Sequence, residues 1–224
     1  MKVLNIAMDG PVGAGKSSIA SAVARALGIL HLDTGAMYRA LGLCAIRCGI
    51  SLDDEAAVTA LARDVNISVA HGEQGQRTMV DGEDVSALIR TPEVSMAASA
   101  VGRYAGVRAE MVSIQQRLAQ QTAMLVDGRD ICLRVLPDAP VKIFLTASAE
   151  ERARRRWAEM TAKGDHTPYE QVLSDLRARD EQDMNREVDP LRPTPDAVIV
   201  DSTSLNFDEV VAAILKIVEE KTHE

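Results

Sequence analysis

The sequence predicts an α/β fold, a doubly wound five-stranded parallel sheet with helices on both faces, and three observations carry that expectation. An apolar run of strand length, Val3-Leu4-Asn5-Ile6-Ala7-Met8, leads into Gly10-Pro11-Val12-Gly13-Ala14-Gly15-Lys16-Ser17, a complete GxxxxGKS phosphate-binding loop. Ile19, Ala20, Val23, Ala24 and Leu27 follow at helical spacing, and Gly28 stops that helix. Further on, Met124-Leu125-Val126-Asp127, Val141-Lys142-Ile143-Phe144-Leu145 and Ala197-Val198-Ile199-Val200-Asp201 are continuous apolar runs, as in strands covered on both faces. A ligand site is then expected at the C-terminal ends of the strands.

The remaining elements follow in order. Leu30-His31-Leu32-Asp33 reads as the second strand, and Thr34 as the cap of a helix that runs to about Arg47 and ends at Gly49. A short helix near residues 53–63 precedes Val65-Asn66-Ile67-Ser68-Val69, whose alternation is that of a half-buried strand. Gly72-Glu73-Gln74-Gly75 is a turn, and Thr78-Met79-Val80 before Asp81-Gly82 is the return strand, so residues 64–90 form a small antiparallel β insertion. Thr91-Pro92-Glu93 opens a helix, and another runs from about Ala105 to Gln121. Charged helices over 150–162 and 168–184 and an amphipathic helix from about Phe207 complete the chain.

Composition restricts the function classes. The 224 residues suit one domain with insertions, and 46% hydrophobic content without a run near membrane-spanning length indicates a soluble globular chain. A net charge of −8 disfavours nucleic acid or an anionic membrane as partner. Cys44, Cys48 and Cys132 form no CxxC pair, and no secretory signal is read before the first strand, so reduced thiols and a cytoplasmic location are expected. Arginine greatly outnumbers lysine and gathers at 152–156 and 177–186; its planar fork of donors suits anionic small molecules.

The chemistry begins at the loop, where backbone N–H groups and a helix N-terminus would cradle phosphate. Lys16 would reach the β and γ phosphates and Ser17 ligate Mg²⁺, with Ser18 able to assist. Asp127, at the end of an apolar strand, stands where an acid of the metal shell would, and Arg129 and Asp130 follow in Asp127-Gly128-Arg129-Asp130. Thr34-Gly35-Ala36-Met37-Tyr38-Arg39 offers a hydroxyl, an aromatic face and a guanidinium after the second strand. Arg179, Asp183 and Arg186 are spaced to share one helical face, where Asp183 can orient either cation; ordinary intrahelical pairing is the simpler explanation of that set. The loop alone also fits another small-molecule kinase or a nucleotide-sensing protein. A second arginine-lined constellation and an intact Lys16 favour a kinase, since a sensor needs no acceptor pocket.

Taken together and in order, residues 10–18, Leu32-Asp33-Thr34-Gly35-Ala36-Met37-Tyr38-Arg39, Arg90-Thr91-Pro92-Glu93-Val94-Ser95 with Ala98-Ser99, Asp127-Gly128-Arg129-Asp130-Ile131, Pro137-Asp138-Ala139 before Lys142-Ile143-Phe144-Leu145, and residues 179–186 resemble the bacterial cytidylate kinases over almost the whole chain. The resemblance implies a P-loop NTPase-type fold and transfer of the ATP γ-phosphoryl group to CMP or dCMP, with Mg²⁺; a monomer is expected. It implies a core of residues 1–33, 91–148 and 185–224, a monophosphate-binding region of 34–90 and a helical lid of about 149–184. ATP would be held by Gly10, Pro11, Val12, Gly13, Ala14, Gly15, Lys16, Ser17, Ser18 and, from the lid run of Arg152, Arg154, Arg155 and Arg156, by Arg155. Thr34, Tyr38, Arg39, Ser99, Arg108, Arg129, Asp130, Arg179, Asp183 and Arg186 would hold the acceptor, with Ser99 and Asp130 on cytosine. Lys16, Arg129, Arg179 and Arg186 would stabilise charge during transfer. The chain departs from the family at Cys132-Leu133-Arg134, where Gly-Thr usually follows DGRDI; Arg134 is expected to meet either the phosphate or solvent.

Overall fold

In β1 (Asn5–Asp9) successive side chains enter different cores: Ile6 and Met8 join one apolar cluster and Ala7 the other. β6 (Met124–Gly128) repeats this, sending Leu125 to the first and Met124 and Val126 to the second. A strand buried on both faces must be apolar throughout, and this is the physical origin of the continuous runs in the sequence. With β2 (Leu30–Asp33), β7 (Val141–Thr146) and β8 (Val198–Asp201), these strands form a parallel sheet ordered β2-β6-β1-β7-β8.

The computed structural model describes residues 4–72 and 75–222. Val3 of the first run and Glu73 and Gln74 of the anticipated turn lie outside the described residues. α1 (Lys16–Leu27) and α8 (Phe207–Thr222) cover one face of the sheet through Ile19, Val23, Val210 and Ile214. α2 (Thr34–Arg47), α4 (Pro92–Val101) and α5 (Ala105–Gln121) cover the other through Met37, Leu41, Val94 and Met111. α3 (Glu55–Asp64) adds Val58 and Ala62 to that second core. The insertion is a three-stranded antiparallel sheet of β3 (Ile67–Gly72), β4 (Gly75–Val80) and β5 (Glu83–Asp84), whose Ile67 and Val80 join the same core.

α6 (Ala149–Ala162) and α7 (Tyr169–Asn185) pack on each other through Ala153, Val172 and Leu176, a third small cluster that meets the phosphate loop at Val12. Local sequence sets the helix ends. Asp54, Thr91 and Ser148 cap α3, α4 and α6 by accepting from backbone amides, and left-handed Gly28 closes α1. One expected cap is corrected. Asp33, not Thr34, caps α2 by accepting from the Ala36 amide at 3.0 Å, because the Thr34 hydroxyl donates instead to the Asp127 carbonyl at 2.7 Å.

α2 and α4 approach closely at Gly42, where an added Cβ would stand 3.0 Å from the Ala97 Cβ and the Ala98 amide nitrogen. Gly42→Val should therefore cost about 1–3 kcal/mol of unfolding free energy in urea denaturation by overpacking that contact. A variant of unchanged stability would show that the two helices can part freely.

Candidate active site

The phosphate loop follows the central strand. A Cβ at Gly10 would run into the Leu145 carbonyl oxygen of β7, so the neighbouring strand itself demands glycine there. Gly15, at φ +83, turns the chain into α1, which has neither a side-chain cap nor an acid in its first turn. Its N-terminal amides are left for an anion. Lys16 is buried and donates to the Pro11 carbonyl at 2.8 Å. Burial, and then the charge of Arg129, pull its pKa down to about 7 against the pull of Asp127 and Asp9.

Asp127 joins the loop to its surroundings. One carboxylate oxygen accepts from the Ser17 hydroxyl at 3.0 Å and the other from His31 Nε2 at 2.6 Å, while its carbonyl holds Thr34. Ser17 and a buried acid thus face each other, as a hard cation's oxygen donors would. Ser18 is exposed one residue further on. Asp9 is equally buried and accepts from the Ile131 and Cys132 amides at 2.8 Å each; burial nevertheless raises its pKa.

The second constellation forms around the ends of β2, β6 and α7. Arg39 pairs with Asp33 at 2.8 Å, and Asp33 is in turn bridged to the insertion, since Gln76 of β4 accepts from its amide and donates to its carbonyl. Arg129 Nε donates to Asp183 at 2.8 Å. Burial pushes the Asp183 carboxyl up, and the charge and hydrogen bond of Arg129 more than reverse this. Arg108 is buried, donates to Asp130, and meets Asp189 at 3.1 Å and the Gly102 carbonyl at 3.2 Å. Tyr38 lies among these groups; burial first, opposed by Arg108, leaves its phenol at about 12. Ser99 is half-buried on α4.

Several expectations are sharpened or corrected. Arg186 does not share a helical face with Arg179 and Asp183: α7 ends at Asn185, and Arg186 Nε donates to the Asp189 carbonyl. The acid at 183 serves Arg129, from a different element. Arg134 is more than half exposed and pairs with Asp189 at 3.0 Å. Cys132 keeps a negative φ, so the glycine usual there is not a conformational need in this chain. In the arginine run of α6, Arg155 donates to Glu151 and to Ser202 just past β8. Buried Arg152 instead reaches the loop, donating to the Val12 carbonyl at 2.9 Å while paired with Asp180. Asp9, His31, Asp33, Gln76 and Asp189 were not singled out by sequence; only Asp9 and Asp33 carried a signal, as acids at the ends of apolar strands.

What this arrangement can do follows from its unspent donors. Among the described residues, Arg39 Nε, Arg179 Nε and Arg186 Nη2 are buried without a hydrogen-bond partner. Burial, then repulsion from Arg129, lowers the Arg179 pKa, and burial, then Arg108, lowers that of Arg186. Guanidiniums held against their own electrostatics beside an anion-binding loop suit a bound phosphate.

Fold and phosphate loop together define a phosphate-loop phosphotransferase. The family model described as "Cytidylate kinase" matches residues 6–220. The cytidylate kinase of Caldicellulosiruptor bescii is 48% identical over 217 residues, covering 97% of this chain and 96% of that protein. That of Bacillus licheniformis is 48% identical over 221 residues, 98% of each chain. An uncharacterized protein from Eubacterium ventriosum shares the fold alone, with a TM-score of 0.55 at 11% identity over 96% of this chain and 98% of that one. The chain belongs to the cytidylate kinase family, and its activity is that of a nucleoside monophosphate kinase acting on CMP or dCMP.

Because the uncomplexed protein bears Arg179 at an electrostatic cost, Arg179→Met should leave the melting temperature unchanged or raised while lowering kcat/KM for CMP by about 100-fold or more. A variant that melts several degrees lower yet retains activity would contradict the charge assignment.

Proposed function

We propose that this chain aligns ATP on the phosphate loop with CMP or dCMP at the arginine cluster, and that Lys16, Arg129, Arg179 and Arg186 stabilise the charge of the transferring phosphoryl group. The observation that supports it most is the set of buried, unpartnered guanidinium donors on Arg39, Arg179 and Arg186, beside a loop whose helix N-terminus lacks a side-chain cap. Phosphoryl transfer asks for positioning and electrostatic stabilisation rather than covalent help. The attacking phosphate oxygen is already anionic, so no general base is assigned.

Mg²⁺ fits the oxygen donors of Ser17 and Asp127, which lie 3.0 Å apart. When bound it would neutralise charge on the ATP phosphates. ATP would lie along residues 10–18, with Arg155 as its contact from the lid of about 149–184. There Arg155 would have to exchange its bonds to Glu151 and Ser202 for phosphate. The acceptor would be held by Thr34, Tyr38, Arg39, Ser99, Arg108, Arg129, Asp130, Arg179, Asp183 and Arg186, with residues 34–90 as the monophosphate-binding region. A lid closing over both nucleotides would exclude water and limit ATP hydrolysis.

Cytosine presents an amine donor beside an unprotonated ring nitrogen, whereas uracil presents an acceptor beside a donor. Asp130, a buried carboxylate with one oxygen taken by Arg108, would accept from the amine, with Ser99 on the same edge. Uracil would leave that acceptor unsatisfied, which is costly in a buried site. We further propose a cytoplasmic monomer with no nucleic-acid or membrane partner. The net charge of −8 disfavours nucleic acid and anionic membranes as partners, and among the described residues no helix is long and apolar enough to cross a membrane.

ADP release measured across CMP, dCMP, UMP, AMP and GMP tests the proposal. The wild type should turn over CMP and dCMP. Asp130→Asn should lose about 100-fold of the preference for CMP over UMP with the ATP KM within about twofold of wild type. Equal losses for CMP and UMP together with a raised ATP KM would contradict the role given to Asp130.

A further inference from the structure

Asp189 lies three residues beyond Arg186, on the segment that follows α7, and no sequence motif draws attention to it. Its carboxylate, 11% exposed, receives two guanidiniums, one on each oxygen: Arg108 Nε at 3.1 Å and Arg134 Nε at 3.0 Å. Its carbonyl receives Arg186 Nε. The backbone there is left-handed, with φ +50, a conformation that Asp and Asn tolerate better than other side-chain-bearing residues. The segment is anchored one step further by the Leu191 amide, which donates to the Asp183 carbonyl at 2.8 Å. A single residue therefore fixes three arginines drawn from α5, from the turn after β6 and from the end of α7.

Two of those arginines border Asp130. Arg108 donates to one carboxylate oxygen, and Arg186 Nη2, which has no hydrogen-bond partner, stands 3.9 Å from the other. Arg108 is held at Nε by Asp189, at Nη1 by Gly102 and at Nη2 by Asp130, so its plane has one orientation. Without Asp189 this plane would lose one of its three anchors, and Asp130 a firmly oriented partner. Arg134, on the turn that follows Asp130, forms the outer arm of this arrangement.

We propose that Asp189, neutralised on its outer side by Arg134, is a positioning residue for the acceptor nucleotide. It touches no substrate, but it sets the orientation of Arg108 and Arg186 and through them of the base-reading Asp130. The inference rests on Asp130 and Arg186 being acceptor-site residues, as proposed above. A purely structural Asp189, serving only to close the chain after α7, would change stability and leave the two substrates' constants in their usual ratio.

Steady-state kinetics of Asp189→Asn, Arg134→Leu and the double variant separate these cases. Asparagine keeps the left-handed backbone and the side-chain shape and removes only the charge. Asp189→Asn should raise the KM for CMP about tenfold with the KM for ATP within about twofold, the scale of one lost charge-assisted hydrogen bond. Arg134 is more than half exposed, so its removal should raise the CMP KM only about threefold, and by nothing further once Asp189 is already asparagine. A CMP KM unchanged in Asp189→Asn with a lower melting temperature, or a rise of both KM values in step, overturns the proposal. Should Asp189→Asn fail to fold, Arg134→Leu decides, because an unchanged CMP KM in that variant is equally contrary. Asp130→Asn is measured alongside. If it alters base preference while Asp189→Asn alters nothing, only the positioning role fails; if neither alters anything, the acceptor site itself is misplaced.

Discussion

Buried guanidinium charge is the constraint around which this molecule is arranged. Charged groups leave water only when paired, and most arginines of the second constellation are held by a carboxylate or carbonyl of the protein. Arg39 leans on Asp33, Arg129 on Asp183, Arg108 on Asp130 and Asp189, and Arg152 on Asp180. The pairing is incomplete, for Arg39, Arg179 and Arg186 retain buried donors without a hydrogen-bond partner among the described residues. The downward pull on the Arg179 and Arg186 pKa values expresses the same imbalance. A site in this condition suits an anion better than a neutral group, and a phosphate dianion would supply the missing partner.

The two halves of the site are coupled through short side chains at strand ends. Asp127 touches the loop through Ser17, β2 through His31 and α2 through Thr34, so the position of the Ser17 hydroxyl and the start of α2 are set by one residue. Asp9 does the corresponding work between β1 and the turn at Ile131–Val135, which carries Arg134. Gln76 and His71 tie the antiparallel insertion to the end of β2, through Asp33 and the His31 carbonyl. Arg152 links the α6–α7 pair to the loop at Val12. The insertion and the helical pair are thus joined to the core at the site itself, where their movement would bear on the nucleotides.

Much of this was legible in the residues. Strands buried on both faces must be continuously apolar, so β1, β6, β7 and β8 announced themselves, and the phosphate loop marked which strand is central. Helix ends were readable where a cap is purely local, as at Thr91 and Gly28, and misread at Thr34, whose hydroxyl is claimed by a carbonyl 93 residues away. Spacing placed Arg186 on a helix that in fact stops one residue earlier, because helical periodicity does not reveal where a chain is pulled out by the Asp189 carbonyl. His31, Gln76 and Asp189 were invisible for the same reason: their meaning lies in partners brought together only by the sheet order. The acceptor arginines themselves were reached through resemblance and not through spacing.

The central claim is that the arginine cluster is built for the phosphate of the acceptor, with the base read separately. Thermal unfolding of the nucleotide-free enzyme with CMP, and with cytidine at the same concentration, tests this most directly. Ligand at about 100 times its Kd adds about 2.7 kcal/mol to the folded state, so CMP should raise the melting temperature by several degrees, whereas cytidine should leave it nearly unchanged. Equal stabilisation by cytidine and CMP would contradict the account, because it would mean that the base alone, and not the buried guanidinium charge, provides the binding energy.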